Sequence, residues 1–204
     1  MFKNLIKKFF GKKAECDCQK LNLNTTKKED RVALIYEAAP DCGCESKKTS
    51  KFSPYPIANE ELIARFVFSP IHINKKNGKI KPSIISHIFN RGCSIQREKI
   101  ASNDELSRFV SDFLANDPKK ERSWNRVLIA TCNNLRSITI DNQKALCLYD
   151  TAEEHNPAHG EICLSREIPE ANHAELRFEI MKVFSECQPN DYRGGKIYNS
   201  ELSQ

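Results

Sequence analysis

The stretch "DTAEEHNPAHGEICL" at 150–164 carries two histidines four residues apart, His155 and His159, just after Glu153 and Glu154. On a helix that spacing would set two imidazoles on one face, as a metal pair requires. Pro157 lies inside the spacing, and its ring and missing N–H oppose a continuous helix. Asn156, before the proline, is pushed towards extended geometry. The pair therefore belongs to a turn. Beyond it, "HGEICLS" reads as a strand, in which alternation puts His159, Glu161 and Cys163 on one face and Ile162 and Leu164 on the other. The apolar pair should face the core, leaving the His159 face towards a cleft or solvent. A carboxylate two residues from an imidazole can orient it and stabilise its charged form.

A nucleophile to match is offered by "RGCSIQRE" at 91–98. Cys93 follows a glycine at the start of a strand, where a thiol is better exposed than in mid-strand. Arg91 and Arg97 favour its thiolate, the reactive form. Cys93 and His159 would make a thiol–imidazole pair with Glu161 behind it, and Gly92 with the Cys93 N–H could stabilise an oxyanion. His155 could instead be the base, oriented by Asn156 or Glu154. Two other readings use the same residues. Cys93, His155 and His159 could hold a catalytic zinc with an open fourth position, or Cys93 could be core filler, as cysteine often is. The spacing does not choose among these.

A second cluster lies upstream. "AECDCQK" and "PDCGCES" are two Cys-x-Cys pairs, so Cys16, Cys18, Cys42 and Cys44 could form a tetrahedral structural zinc site with no open position; the alternative is two exposed thiol pairs. His173 and Glu175 spell His-x-Glu, but the Pro-Cys-x-x-Cys of the zinc deaminases is missing. There is no glycine-rich phosphate loop and no G-x-S-x-G elbow.

The chain that must position these groups has 204 residues, enough for one good core. Its mean hydropathy of −0.58 and lack of a long apolar run exclude a membrane span. The net charge of +5 is local: residues 1–13 hold five lysines and no acid, so the rest sums to zero. The body is thus not a nucleic-acid surface. The nine cysteines are odd in number and five are scattered singly, which argues for a reducing compartment rather than a disulfide scaffold. "MFKNLIKKFFGKK" has helical apolar spacing with lysines on the other face. It could lie on an anionic membrane surface, dock to a partner, or pack on its own domain. It lacks the apolar core of a cleavable signal, so a cytoplasmic location is expected, with or without contact at the inner membrane surface.

Residues 14–50 form the cysteine-rich segment, 51–58 a polar, proline-bearing linker, 59–187 the main domain and 188–204 a tail. Strands are expected at Arg65–Phe68, from Cys93, at 126–132, at 144–150 and at "HGEICLS". Asn77-Gly78 marks a hairpin turn. Ser102 and Glu105 form a capping box ahead of the stripe Leu106, Phe109, Val110, Phe113 and Leu114, which predicts a helix. A closing helix should begin near Asn172. The expected class is α+β: a small mixed or antiparallel sheet with one or two packed helices.

Four short patterns fall in order between residues 65 and 165: "RFVFSPIHI", "KPSIISHIF", "GCSIQR" and "HNPAHGEI". Together they resemble the predicted CEHH hydrolases, a bacterial family named for a Cys, a Glu and two His and found beside ubiquitin-like conjugation genes. The resemblance implies a cysteine-dependent hydrolase acting on a ubiquitin-like protein or its conjugates, in a setting of antiviral defence. Cys93 would carry the thiol and His159 with His155 the two histidines. The glutamate would be Glu161 by strand face, or Glu98 or Glu154 by nearness. A non-catalytic, zinc-containing adaptor that docks a protein partner or membrane surface is the rival class.

Overall fold

The computed structural model describes residues 31–39, 42–47, 49–52, 54–115, 122–189 and 192. The basic segment 1–13, Cys16, Cys18 and residues 193–204 lie outside the described residues.

The architecture is α+β. Helix α1 (Arg31–Ala38) precedes β1 (Leu62–Ser69), a 3-10 helix (Pro82–Phe89), β2 (Cys93–Arg97), α2 (Asn103–Ala115), β3 (Ser123–Thr131) and α3 (Cys132–Arg136). Two short strands, β4 (Thr139–Ile140) and β5 (Gln143–Lys144), lead to β6 (Leu146–Asp150), β7 (His159–Leu164), α4 (His173–Val183) and β8 (Ser185–Cys187). Six strands make one sheet in the order β6-β7-β2-β1-β3-β8, with every neighbouring pair antiparallel. The capping box forms: the Glu105 N–H donates to Ser102 Oγ and the Ser102 N–H to Glu105 Oε2. The Asn77-Gly78 turn closes with Ile73 bridged to Ile80 and Gly78 in the left-handed region.

The two faces of the sheet are covered differently. On one, Ile63, Val67, Cys93, Ile95, Leu128, Leu148, Ile162 and Leu164 join one continuous core with the 3-10 helix, α3 and α4. On the other, cover comes in two separate pieces. α1 and the turn after it pack on Cys147, Tyr149 and Cys163, while α2 packs on Ala64, Phe66, Phe68, Val127 and Ile129. Between the pieces runs the polar face of β2.

Residues 42–58 belong to this body. A disulfide joins Cys42 to Cys147. The Glu45 carboxylate accepts from Arg136 Nε (2.6 Å), Lys144 Nζ (2.7 Å) and the Leu148 N–H (2.8 Å). Thr49 and Ser50 donate to the carbonyls of Asp150 and Ala152. Side chains of this strap thus take the Leu148 N–H and the Asp150 carbonyl of β6, the edge strand. The expected linker 51–58 is fixed as well, because the Tyr55 and Pro56 carbonyls accept from Arg97 and Ile57 is buried. Arg97 itself is fully buried. It forks onto Glu61 (Nε–Oε2 3.0 Å, Nη2–Oε1 2.7 Å), lies 3.8 Å from Asp150 and stacks on Tyr55.

Candidate functional site

Strand β2 fixes which of its side chains can do chemistry. Its register with β7 pairs Cys93 with Ile162, Ser94 with Glu161 and Gln96 with His159. Directly paired residues share a face, so Cys93 and His159 lie on opposite faces of the sheet. Cys93 is fully buried in the continuous core, and its Sγ donates to the Ile84 carbonyl at 3.8 Å. Burial pushes its thiol up; Glu161 adds to this and Arg65 opposes it. The expected thiol–imidazole pair is therefore not assembled. Neither is a Cys93, His155 and His159 metal centre, because His155 sits exposed on the 153–156 turn.

His159 and Glu161 do share a face, as their spacing requires, and Ile162 and Leu164 face the core. The His159 ring is oriented by Thr151, a residue the sequence did not single out: Nδ1 lies 2.8 Å from Thr151 Oγ1 and 3.1 Å from the Thr151 carbonyl. A carbonyl only accepts, so Nδ1 carries a proton towards Thr151. Glu161 is buried under Gly92, which takes a positive φ of 82°. A Cβ on Gly92 would lie 3.0 Å from Glu161 Oε2 and 3.2 Å from Cys163 Sγ. Gly92→Ala should cost about 1–3 kcal/mol, seen as a lower urea midpoint. An unchanged midpoint would mean that the turn relaxes.

Ser94 and Gln96 on the polar face of β2 help line a valley of about 500 Å3 beside α2. Pairing between β1 and β2 is confined to Ile63–Arg97 and Ala64–Gln96. Beyond it, Arg65 donates from Nη1 to the Ser94 carbonyl (2.8 Å) and from Nη2 to the Ile84 carbonyl (3.2 Å), while its Nε is buried without a hydrogen bond. Arg91 contacts the His87 ring, Nη2 to Nε2, at 2.8 Å. Arg122 lies over Phe113. These three guanidiniums, His72, His87 and His159 line the valley together with Phe66, Phe68, Phe109 and Phe113. Among the described residues, Glu153 is the one acidic residue lining it.

His72 reports the resulting field. Its Nδ1 accepts from the Phe68 N–H at 3.0 Å, so the neutral ring presents Nε2–H. Burial, then Arg65, His87, Lys81 and Arg122, push its pKa down from 6.5 to about 4. The folded chain thus binds this proton more weakly than the unfolded chain. The contribution to stability is complete above pH 6.5 and is lost as pH falls towards 4. Urea unfolding between pH 7.5 and 4.5 should show that loss, and His72→Asn, whose Oδ1 can keep the Phe68 bond, should flatten it. An identical profile in the variant would assign the loss to other groups.

The expected metal set is also rearranged. Of its members, Cys42 and Cys44 are described and both are buried. Beside Cys42 stands Cys147, not singled out from the sequence as a ligand, and the buried group Cys42, Glu45 and Cys147 has the spacing to hold a metal ion. Among the described residues no helix is long and apolar enough to cross a membrane. No protein-family model matches the chain, and no curated protein or solved structure does either.

Proposed function

We propose that this protein is a docking module whose valley holds the anionic tail of a protein partner. The observation that carries the reading is the valley's charge. Arg65 and Arg91 present guanidiniums bonded to carbonyls and a histidine ring rather than to carboxylates, in a valley that Phe66, Phe68, Phe109 and Phe113 also line. Guanidinium is the side-chain group best matched to a carboxylate. His72 Nε2–H adds a neutral donor. The resemblance to the CEHH group supplies the partner class, a ubiquitin-like protein or its conjugate, whose extended C-terminus suits a narrow valley. The geometry gives no support to Cys93 as a nucleophile, since its sulfur faces the opposite side of the sheet. For the metal, zinc in a structural role is the reading the two Cys-x-Cys pairs favour.

The test is binding of a fluorescent C-terminal peptide of a ubiquitin-like partner, with a free carboxylate or as the amide. The free acid should bind at least about tenfold more tightly, the worth of one charge-assisted hydrogen bond. Cys93→Ala should leave that difference intact. Equal binding of acid and amide sinks the docking reading, and cleavage of the partner's fusions that is lost in Cys93→Ala restores the hydrolase.

A further inference from the structure

The docking reading puts an anionic tail in the valley, and the following inference rests on that reading and places the tail's last residue. Alternation fixes which backbone groups of β1 and β2 face each other. The Glu98 N–H donates to the Leu62 carbonyl at 3.0 Å, and Ala64 pairs with Gln96. Even-numbered residues of both strands thus turn their N–H and C=O towards each other. The odd-numbered Arg97 turns its N–H the other way, to the Ala158 carbonyl at 2.8 Å. The next exchange along the ladder would join Phe66 to Ser94. It is not made, although β1 runs on to Ser69 and β2 begins at Cys93.

The backbone around this gap is otherwise accounted for. Phe68, the next residue of the same parity, is closed by His72: its N–H donates to Nδ1 at 3.0 Å, and its carbonyl accepts from the His72 N–H at 2.8 Å. Arg65 Nη1 takes the Ser94 carbonyl. The Nε of that guanidinium is buried and has no hydrogen bond among the described residues. The missing exchange leaves the Ser94 N–H on one bank and the Phe66 carbonyl on the other. Both residues line the valley. Open main-chain groups of a sheet are where extended peptides bind, and backbone donors beside an arginine suit a terminal carboxylate. The gap is one exchange long, which matches the main chain of one residue.

We propose that the split between β1 and β2 is a main-chain socket for the C-terminal residue of the partner's tail. The N–H of that residue donates to the Phe66 carbonyl, and its carboxylate accepts from the Ser94 N–H and the Arg65 guanidinium. An internal residue of an extended chain turns its N–H and C=O to one side, and the next N–H points to the other. A terminal residue carries a carboxylate oxygen where that next N–H would be. It alone offers an acceptor to the Ser94 bank, whereas an amidated end would set a donor against a donor there.

The experiment titrates the full chain with three fluorescent versions of the ubiquitin-like tail peptide, all ending in a free carboxylate. One has only amide linkages. In the second an ester replaces the last linkage and so deletes the last N–H. In the third the ester lies one linkage upstream. The second should bind about three- to tenfold more weakly than the first, the net worth of one backbone hydrogen bond. The third should bind like the first, since its lost N–H points away from Phe66. Ser94→Pro removes the donor on the other bank. It should keep the wild-type circular dichroism, because this N–H takes no part in the ladder, and should bind the all-amide acid at least about tenfold more weakly. A last-linkage ester that binds like the all-amide peptide, or no worse than the upstream ester, overturns the socket even if Ser94→Pro does not fold. Wild-type affinity in a folded Ser94→Pro overturns it as well. If the free acid is still preferred over the terminal amide, either result leaves the docking reading standing; equal binding of acid and amide sinks both.

Discussion

Arg97→Ala is expected to remove about 3–5 kcal/mol of stability, the cost of leaving a buried charge without its partner. Glu61 would keep its carboxylate in the interior with only the Ala58 N–H at 2.8 Å still bonded, and Asp150 would lose the cation 3.8 Å away. The carbonyls of Tyr55 and Pro56 would lose their donor at the same time. Against a typical total of about 5–15 kcal/mol, this leaves a marginal protein. Urea unfolding followed by circular dichroism measures it. The double variant Arg97→Met/Glu61→Leu should recover much of the loss, because removing both charges removes the desolvation penalty. If Arg97→Ala costs less than about 1 kcal/mol, the fork onto Glu61 is not what fixes residues 55–61.

Charge reversal in the valley should have the largest effect on binding. Arg91→Glu is expected to weaken the anionic tail by about 10- to 100-fold, the range of a lost charge-assisted hydrogen bond of about 1.5–3 kcal/mol. Arg65→Lys tests geometry rather than charge. An ammonium cannot reproduce the fork that reaches both the Ser94 and the Ile84 carbonyls, so it should weaken binding while net charge stays the same. His72 provides a second readout by NMR. An anion that neutralises the field of Arg65 and Arg122 should raise its pKa from about 4 towards its ordinary value. Bound peptide with no shift at His72 would place the ligand outside the valley.

Much of the architecture was legible because it rests on local rules. The capping box, the Asn-Gly turn and the closing helix are decided within a few residues, and each appears where its residues predict. The side on which His159 lies was also legible, since Ile162 and Leu164 leave little choice. Cys93 was not. It alternates with Ile95 and Arg97, and a charged residue at the third position hides the fact that this is the core face. Arg97 is buried only because Glu61, Asp150 and two carbonyls await it, and nothing within β2 announces those partners. The valley was illegible for a related reason. Arg65, His72, Arg91 and Arg122 come from separate segments, and only the parting of β1 from β2 gathers them. The same holds for Cys147, which its strand marks as core and which only folding brings beside Cys42.

The strap along β6 also governs what the molecule avoids. An uncovered outer strand is a template on which an identical chain can lay its own backbone, the first step towards fibres. Here the Leu148 N–H and the Asp150 carbonyl are taken by a carboxylate and a hydroxyl. Side-chain partners end the ladder, since they offer no further row of amides for a newcomer to copy.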